Sequence, residues 1–205
     1  MRKAGIIFLL LFLTFTLLYA QESEGDLPAT EGDWDIYAPD MYASGDQIFV
    51  ISLGTVFPTV FLNNGKIITH NISPPVGGTG SLSYNYFLSP NIFLGGEVGG
   101  IFMSTLGRNM FYAIPLGFRA GYQFYFWRFE FPVSLTLGMT WHRYLDLSYY
   151  GFYMKGGGSV FYRFNSDWSF GLNANWYWLP QWTNDRSKNV DGNFVNLTLS
   201  ARYHF

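Results

Sequence analysis

The sequence predicts an all-β chain: an eight-stranded antiparallel up-and-down β-barrel that crosses a membrane. Three observations predict it. Apolar and polar residues alternate in segment after segment, and a period of two is the signature of a strand, whose successive side chains point to opposite faces. The charges that fall inside these segments (Glu97, Arg119, Glu130, Lys155, Arg163, Arg202) all take the opposite parity from the aromatic and aliphatic residues. Beyond the N-terminus no run offers the ~20 apolar residues that a spanning helix needs. Charged residues make up 13% of the chain and aromatic residues 21%, so the apolar parity is unusually rich in rings.

The first twenty residues read as a signal peptide. Arg2 and Lys3 give a basic start, Ile6 to Leu18 is an apolar run broken only by two threonines, and Ala20 is a suitable cleavage site. With no cysteine in the chain, a lipid anchor, a disulfide framework and a thiolate metal site are all excluded. Residues 21–45 carry seven acids and no base, against seven acids and ten bases in residues 46–205. With Pro28, Pro39 and several glycines, the segment 21–45 reads as an acidic, mostly unpacked periplasmic stretch. The barrel is assigned to 46–205.

The strands follow in order. The first covers 46–57 and turns Phe49, Ile51, Leu53 and Phe57 outward; Pro58 is expected to end its pairing. A long loop, 58–78, leads to the second strand at 79–88, with Leu82, Tyr84 and Tyr86 outward. After a tight turn at Ser89-Pro90-Asn91, the third strand runs 92–102. A loop at 103–109 precedes the fourth, 110–124, which sets Ile114, Leu116, Phe118 and Tyr122 against Gly117, Arg119, Gly121 and Gln123. The segment 125–129 turns the chain into the fifth strand, 130–142. The loop 143–151 and a sixth strand at 152–164 follow, with Gly156 and Gly158 weakening the outer face. Asn165-Ser166-Asp167 turns into a seventh strand, 168–178, and 180–192 is the last loop. Long connections on one side alternate with short turns on the other, as in small membrane barrels. Lipid offers backbone groups no partner, so such a sheet must close.

The closing strand carries Val195, Leu197, Leu199, Ala201, Tyr203 and Phe205 on one face and Asn196, Thr198, Ser200, Arg202 and His204 on the other. It resembles the terminal strand of bacterial outer-membrane β-barrels, where such an ending in Phe serves as the assembly signal. That resemblance implies an outer-membrane location, export through the secretion machinery, insertion by the barrel-assembly machinery and outer-membrane lipid as the surroundings. A soluble lipocalin-like barrel would have its apolar face inside, the reverse of this pattern.

The inward charged set is Glu97, Arg119, Glu130, His142, Lys155, Arg163 and Arg202. Glu130, Arg163 and Arg202 are expected to share a layer near one end, Glu97 and Arg119 a middle layer, and His142 and Lys155 a higher one. Eight strands enclose little space, and Phe93, Tyr125, Tyr153, Phe161 and Tyr177 also point inward. The expectation is therefore either ion pairs that plug the lumen or a narrow wet path. His70-Asn71-Ile72-Ser73, and His142 with Asp146 and Ser148, match no hydrolase motif. Three dispersed histidines make no metal site. The chain is not read as an enzyme, and no cofactor, metal or nucleic-acid partner is expected.

Residues 46–205 as a whole resemble small eight-stranded outer-membrane proteins. Gly54-Thr55-Val56-Phe57-Pro58, the hairpin from Tyr84 to Leu94 and the ending Ala201-Arg202-Tyr203-His204-Phe205 are similar to the OmpW-like group. OmpX-like and OmpA-barrel-like proteins share parts of the pattern. The OmpW-like resemblance implies passage of small, mostly hydrophobic molecules across the outer membrane through a narrow barrel; a monomer is expected. The alternative is a closed structural or surface-interaction barrel whose loops bind a host surface ligand or a neighbouring molecule.

Overall fold

The computed structural model describes residues 42–63, 65–68, 72–105, 110–144, 147–182 and 189–205. The proposed signal peptide and most of the acidic segment lie outside the described residues, as do His70, Asn71 and Asp146.

Among the described residues there are nine strands: β1 (Gln47–Asn63), β2 (Lys66–Ile68), β3 (Ile72–Phe87), β4 (Ile92–Thr105), β5 (Met110–Phe126), β6 (Phe129–Tyr144), β7 (Leu147–Arg163), β8 (Trp168–Gln181) and β9 (Val190–His204). Each long strand pairs antiparallel with its sequence neighbour, and β1 pairs with β9 from Ile48↔His204 to Pro58↔Phe194. That last ladder closes an eight-stranded antiparallel barrel. The short β2 is an extension paired only with the far tip of β1, Phe61↔Ile68 to Asn63↔Lys66.

Closure sorts the side chains by parity. Leu53, Leu116, Phe118, Leu172 and Leu199 are among the large apolar residues left exposed on the outer wall. The intervening positions are buried in the lumen, among them Val50, Val56, Glu97, Gln123, Thr136, Asn196 and Arg202. Water would penalise such an outer face; lipid does not, and that is why the period-two pattern runs apolar-out. Exposed rings gather in two bands. Trp127, Trp168, Tyr203 and Phe205 lie where β1 begins and β9 finishes, called here the near end; Tyr150 and Trp182 lie toward the far end.

Several connections are shorter than the sequence suggests. The expected loop 58–78 is largely strand, because β1 continues past Pro58 to Asn63 and β3 begins at Ile72. Proline has no N–H to give, and the β1–β9 ladder accommodates it with a register shift between Pro58 and Phe61. The expected loops 103–109, 143–151 and 180–192 shrink likewise, since β4 reaches Thr105, β7 starts at Leu147, β8 runs to Gln181 and β9 starts at Val190. Hairpin hydrogen bonds do not need lipid on either side, so pairing outlasts the lipid-facing pattern that reveals it. The turn expected over 125–129 is just Trp127-Arg128, closed by the pair Phe126↔Phe129. Trp127 takes a positive φ of 55°, as the first central residue of a tight hairpin turn requires.

Candidate functional site

The candidate site is the lumen, and its contents come in layers. At the near end Ile48, Val50, Phe87, Phe93 and Phe161 form one buried apolar cluster with Tyr42. At the far end Val56, Ile101, Met103, Phe111, Tyr153, Tyr177, Leu179 and Phe194 form a second. Two ion-pair groups lie among and between these clusters, each with one glutamate and two cations.

The near-end group is built on Glu130, which is fully buried at the start of β6. Its Oε2 accepts from Arg202 Nη1 at 2.5 Å, Gln123 Nε2 at 2.9 Å and the Tyr42 hydroxyl at 2.9 Å. Arg163 Nη1 approaches Oε1 at 3.5 Å. Arg202 Nη1 also donates to Gln123 Oε1 at 3.2 Å, and its guanidinium lies 3.8 Å from the Phe161 ring centroid. A buried carboxylate must be paired and hydrogen-bonded, and three charge-assisted or neutral donors on one oxygen meet that demand. Burial, the largest effect on it, pushes the Tyr42 hydroxyl above the usual tyrosine range, so Tyr42 serves as a neutral donor.

The middle group is built on Glu97. Its Oε1 is paired with Lys155 Nζ, and its Oε2 lies 3.7 Å from Arg119 Nη1. Arg119 Nη1 also donates to Ser83 Oγ at 3.2 Å. Lys155 therefore belongs with Glu97 and Arg119 and not with His142. Counting along the strands placed it too high because adjacent strands in a barrel are staggered, so equal offsets are not equal heights. His142 instead meets Gln181 Nε2 through its Nε2 at 2.6 Å, at the far end. The expected near-end trio of Glu130, Arg163 and Arg202 does come together.

Beside these groups runs a polar ladder across β1, β9 and β8. The hydroxyls of Ser52 and Ser200 are 2.5 Å apart. Asn173 Nδ2 donates to Thr198 Oγ1 at 2.8 Å, and Asn175 Nδ2 to Asn196 Oδ1 at 3.1 Å. Three further side chains matter that the sequence reading did not single out. Gln123 bridges Glu130 and Arg202. His204 takes Ser169 Oγ on one nitrogen at 2.8 Å and the Tyr42 hydroxyl on the other at 3.0 Å. Tyr42 lies in the stretch read as unpacked, yet only 3% of its surface is exposed. The inward parity of the terminal strand signals His204; for Tyr42 the only sequence signal is an aromatic residue just before the turn at Gly45.

Solved structures share this architecture. The barrel matches the outer membrane protein OprG of Pseudomonas aeruginosa with a TM-score of 0.57 and 11% identity, over 80% of this chain and 97% of that one. Neisserial surface protein A matches with a TM-score of 0.54 and 11% identity, over 80% of this chain and 99% of that one. An uncharacterized protein of Treponema pallidum (strain Nichols) is 25% identical over 92% of this chain and 91% of its own length. An uncharacterized protein of Borreliella burgdorferi is 24% identical over 74% of this chain and 79% of its own length. A protein-family model that carries no functional description matches residues 28–203. That match covers well over half of the sequence, and the chain belongs to this family.

Proposed function

We propose that this protein is an outer-membrane barrel with a sealed lumen, which acts through the surface that it presents at its far end. The observation that supports the reading is the filled lumen. Tyr153, Tyr177, Phe161, Glu130 and Arg202 are each at most 2% exposed, and apolar layers at both heights flank the charged groups. A wet path would have to cross both. On this reading the ion pairs are structural and the protein is not a catalyst. The far-end connections bind a host or neighbouring molecule, residues 1–20 direct export, and the terminal strand recruits the assembly machinery to a monomeric barrel.

A narrow OmpW-like channel for small hydrophobic molecules is the second reading. One observation favours it: the β1–β3 ladder stops at Val56↔Gly77 although both strands continue beyond those residues. Among the described residues β1 has no β3 partner between Val56 and the β2 pairs that begin at Phe61, and on this reading a solute passes sideways there.

Conductance of the refolded mature protein in a planar bilayer separates a sealed lumen from an aqueous one. The expected result is silence. Reproducible single-channel steps that shift with Arg119→Gln would overturn the sealed reading. A sideways hydrophobic route carries no ions, so uptake of an apolar solute into proteoliposomes tests it separately. Transport above empty vesicles would favour the channel reading.

A further inference from the structure

We propose that Tyr42 is a stopper: a side chain of the segment ahead of the barrel that seals the near end of the lumen and can be withdrawn without unzipping a strand. The inference rests on the membrane placement above for which side the stopper faces, but neither its geometry nor its test depends on that placement.

The contacts of Tyr42 are those of a plug seated in a socket. Its ring stacks on Phe87 with centroids 4.1 Å apart and planes 16° from parallel. The Arg163 guanidinium lies 5.2 Å from the ring centroid. Its hydroxyl donates to Glu130 Oε2 at 2.9 Å or faces His204 Nδ1 at 3.0 Å, and it accepts from Arg202 Nη1 at 3.3 Å. The Tyr125 ring centroid lies 5.9 Å from that of Tyr42, so one side chain from outside the sheet touches β3, β5, β6, β7 and β9 together. An aromatic ring fills a narrow mouth with little loss of rotamer freedom, and a buried hydroxyl needs the partner it finds here.

The backbone of Tyr42 itself lies outside the sheet. Between Tyr42 and β1 there is a turn, in which Ala43 N donates to Asp46 Oδ2 at 2.7 Å, and backbone bonds from Gly45 N to the Phe87 carbonyl and from Phe87 N to the Asp46 carbonyl, both 2.9 Å, tie that turn to β3. Gly45 takes a φ of 106°, a conformation open to glycine. Tyr42 is in no ladder, so its removal costs no strand pairing. Glu130 would keep Arg202, Gln123 and Arg163, so the network below survives the loss of its phenol donor.

The chain has no cysteine, which allows a clean accessibility test. Asn85 lies two residues deeper than Phe87 on the same face of β3 and is buried. An Asn85→Cys protein in detergent micelles, treated with iodoacetamide, should react slowly. Adding Tyr42→Ala should speed alkylation by about tenfold or more, as expected when a local barrier to opening is removed. Tyr42→Phe, which keeps the stack on Phe87, should stay close to the protected rate. Heat-modifiable gel migration verifies that each variant is a folded barrel. Thr140→Cys reports from the far end, where Thr140 is buried, and its rate should not respond to Tyr42→Ala. Unchanged alkylation at position 85 would overturn the proposal. So would an equal rise at both positions, since that would mean Tyr42 merely stabilises the barrel as a whole.

Discussion

At the residue scale the lumen obeys a simple rule: each buried glutamate holds two cations. Glu130 has Arg202 and Arg163, and Glu97 has Lys155 and Arg119. Removing the anion should hurt more than removing either cation. Glu130→Gln strands two guanidinium groups, and it should cost about 3–5 kcal/mol, the usual loss when a buried pair is broken from one side. Arg163→Gln should cost distinctly less. Arg202 still neutralises Glu130, and the Arg163 head reaches the turn, donating to the Ser166 carbonyl at 2.8 Å. Urea titration of both variants in micelles checks the order. An equal loss would mean that Arg163 shares the anion fully with Arg202.

At the element scale the two faces of a strand answer to different solvents. Leu135 and Thr136 are neighbours on β6 that point opposite ways, Leu135 exposed on the outer wall and Thr136 buried in the lumen. Leu135→Arg places a charge on the lipid face and should cost about 2–4 kcal/mol near mid-membrane. Were the lumen wet, Thr136→Arg would be the milder change. In the structure Thr136 is in register with Arg119 on one side and Lys155 on the other. A third cation there meets two others where water is scarce, so Thr136→Arg should lose at least as much as Leu135→Arg. Reversible unfolding in lipid vesicles reads both. A Thr136→Arg loss well below that of Leu135→Arg would indicate a hydrated middle layer.

At the scale of the whole molecule, stability depends on closing the sheet. The seam between β1 and β9 ends with Phe205, whose N–H and C=O bond the C=O and N–H of Gln47, both at 3.1 Å. Deleting Phe205 removes that final pair and the aromatic end of the outer face. Export should be unaffected, while the share of chain that reaches the heat-modifiable barrel form in the membrane should fall. Normal amounts of folded barrel without Phe205 would show that the assembly signal lies elsewhere.

The sequence by itself determined the fold class, the number of strands in the barrel wall and which side chains face in. Those follow from a local rule, because alternation along a strand needs no knowledge of its neighbours. It also placed Glu130, Arg163 and Arg202 together, since all three lie close to strand ends where the height is fixed by the turns. Only the tertiary structure decided that Lys155 joins Glu97, that the strands run on through Pro58 and Pro180, and that Tyr42 enters the mouth. The first depends on the stagger between strands, a property of the closed sheet. The second depends on partners that supply pairing where the local pattern has ended. The third depends on a socket built from five strands, which exists only once the barrel has closed.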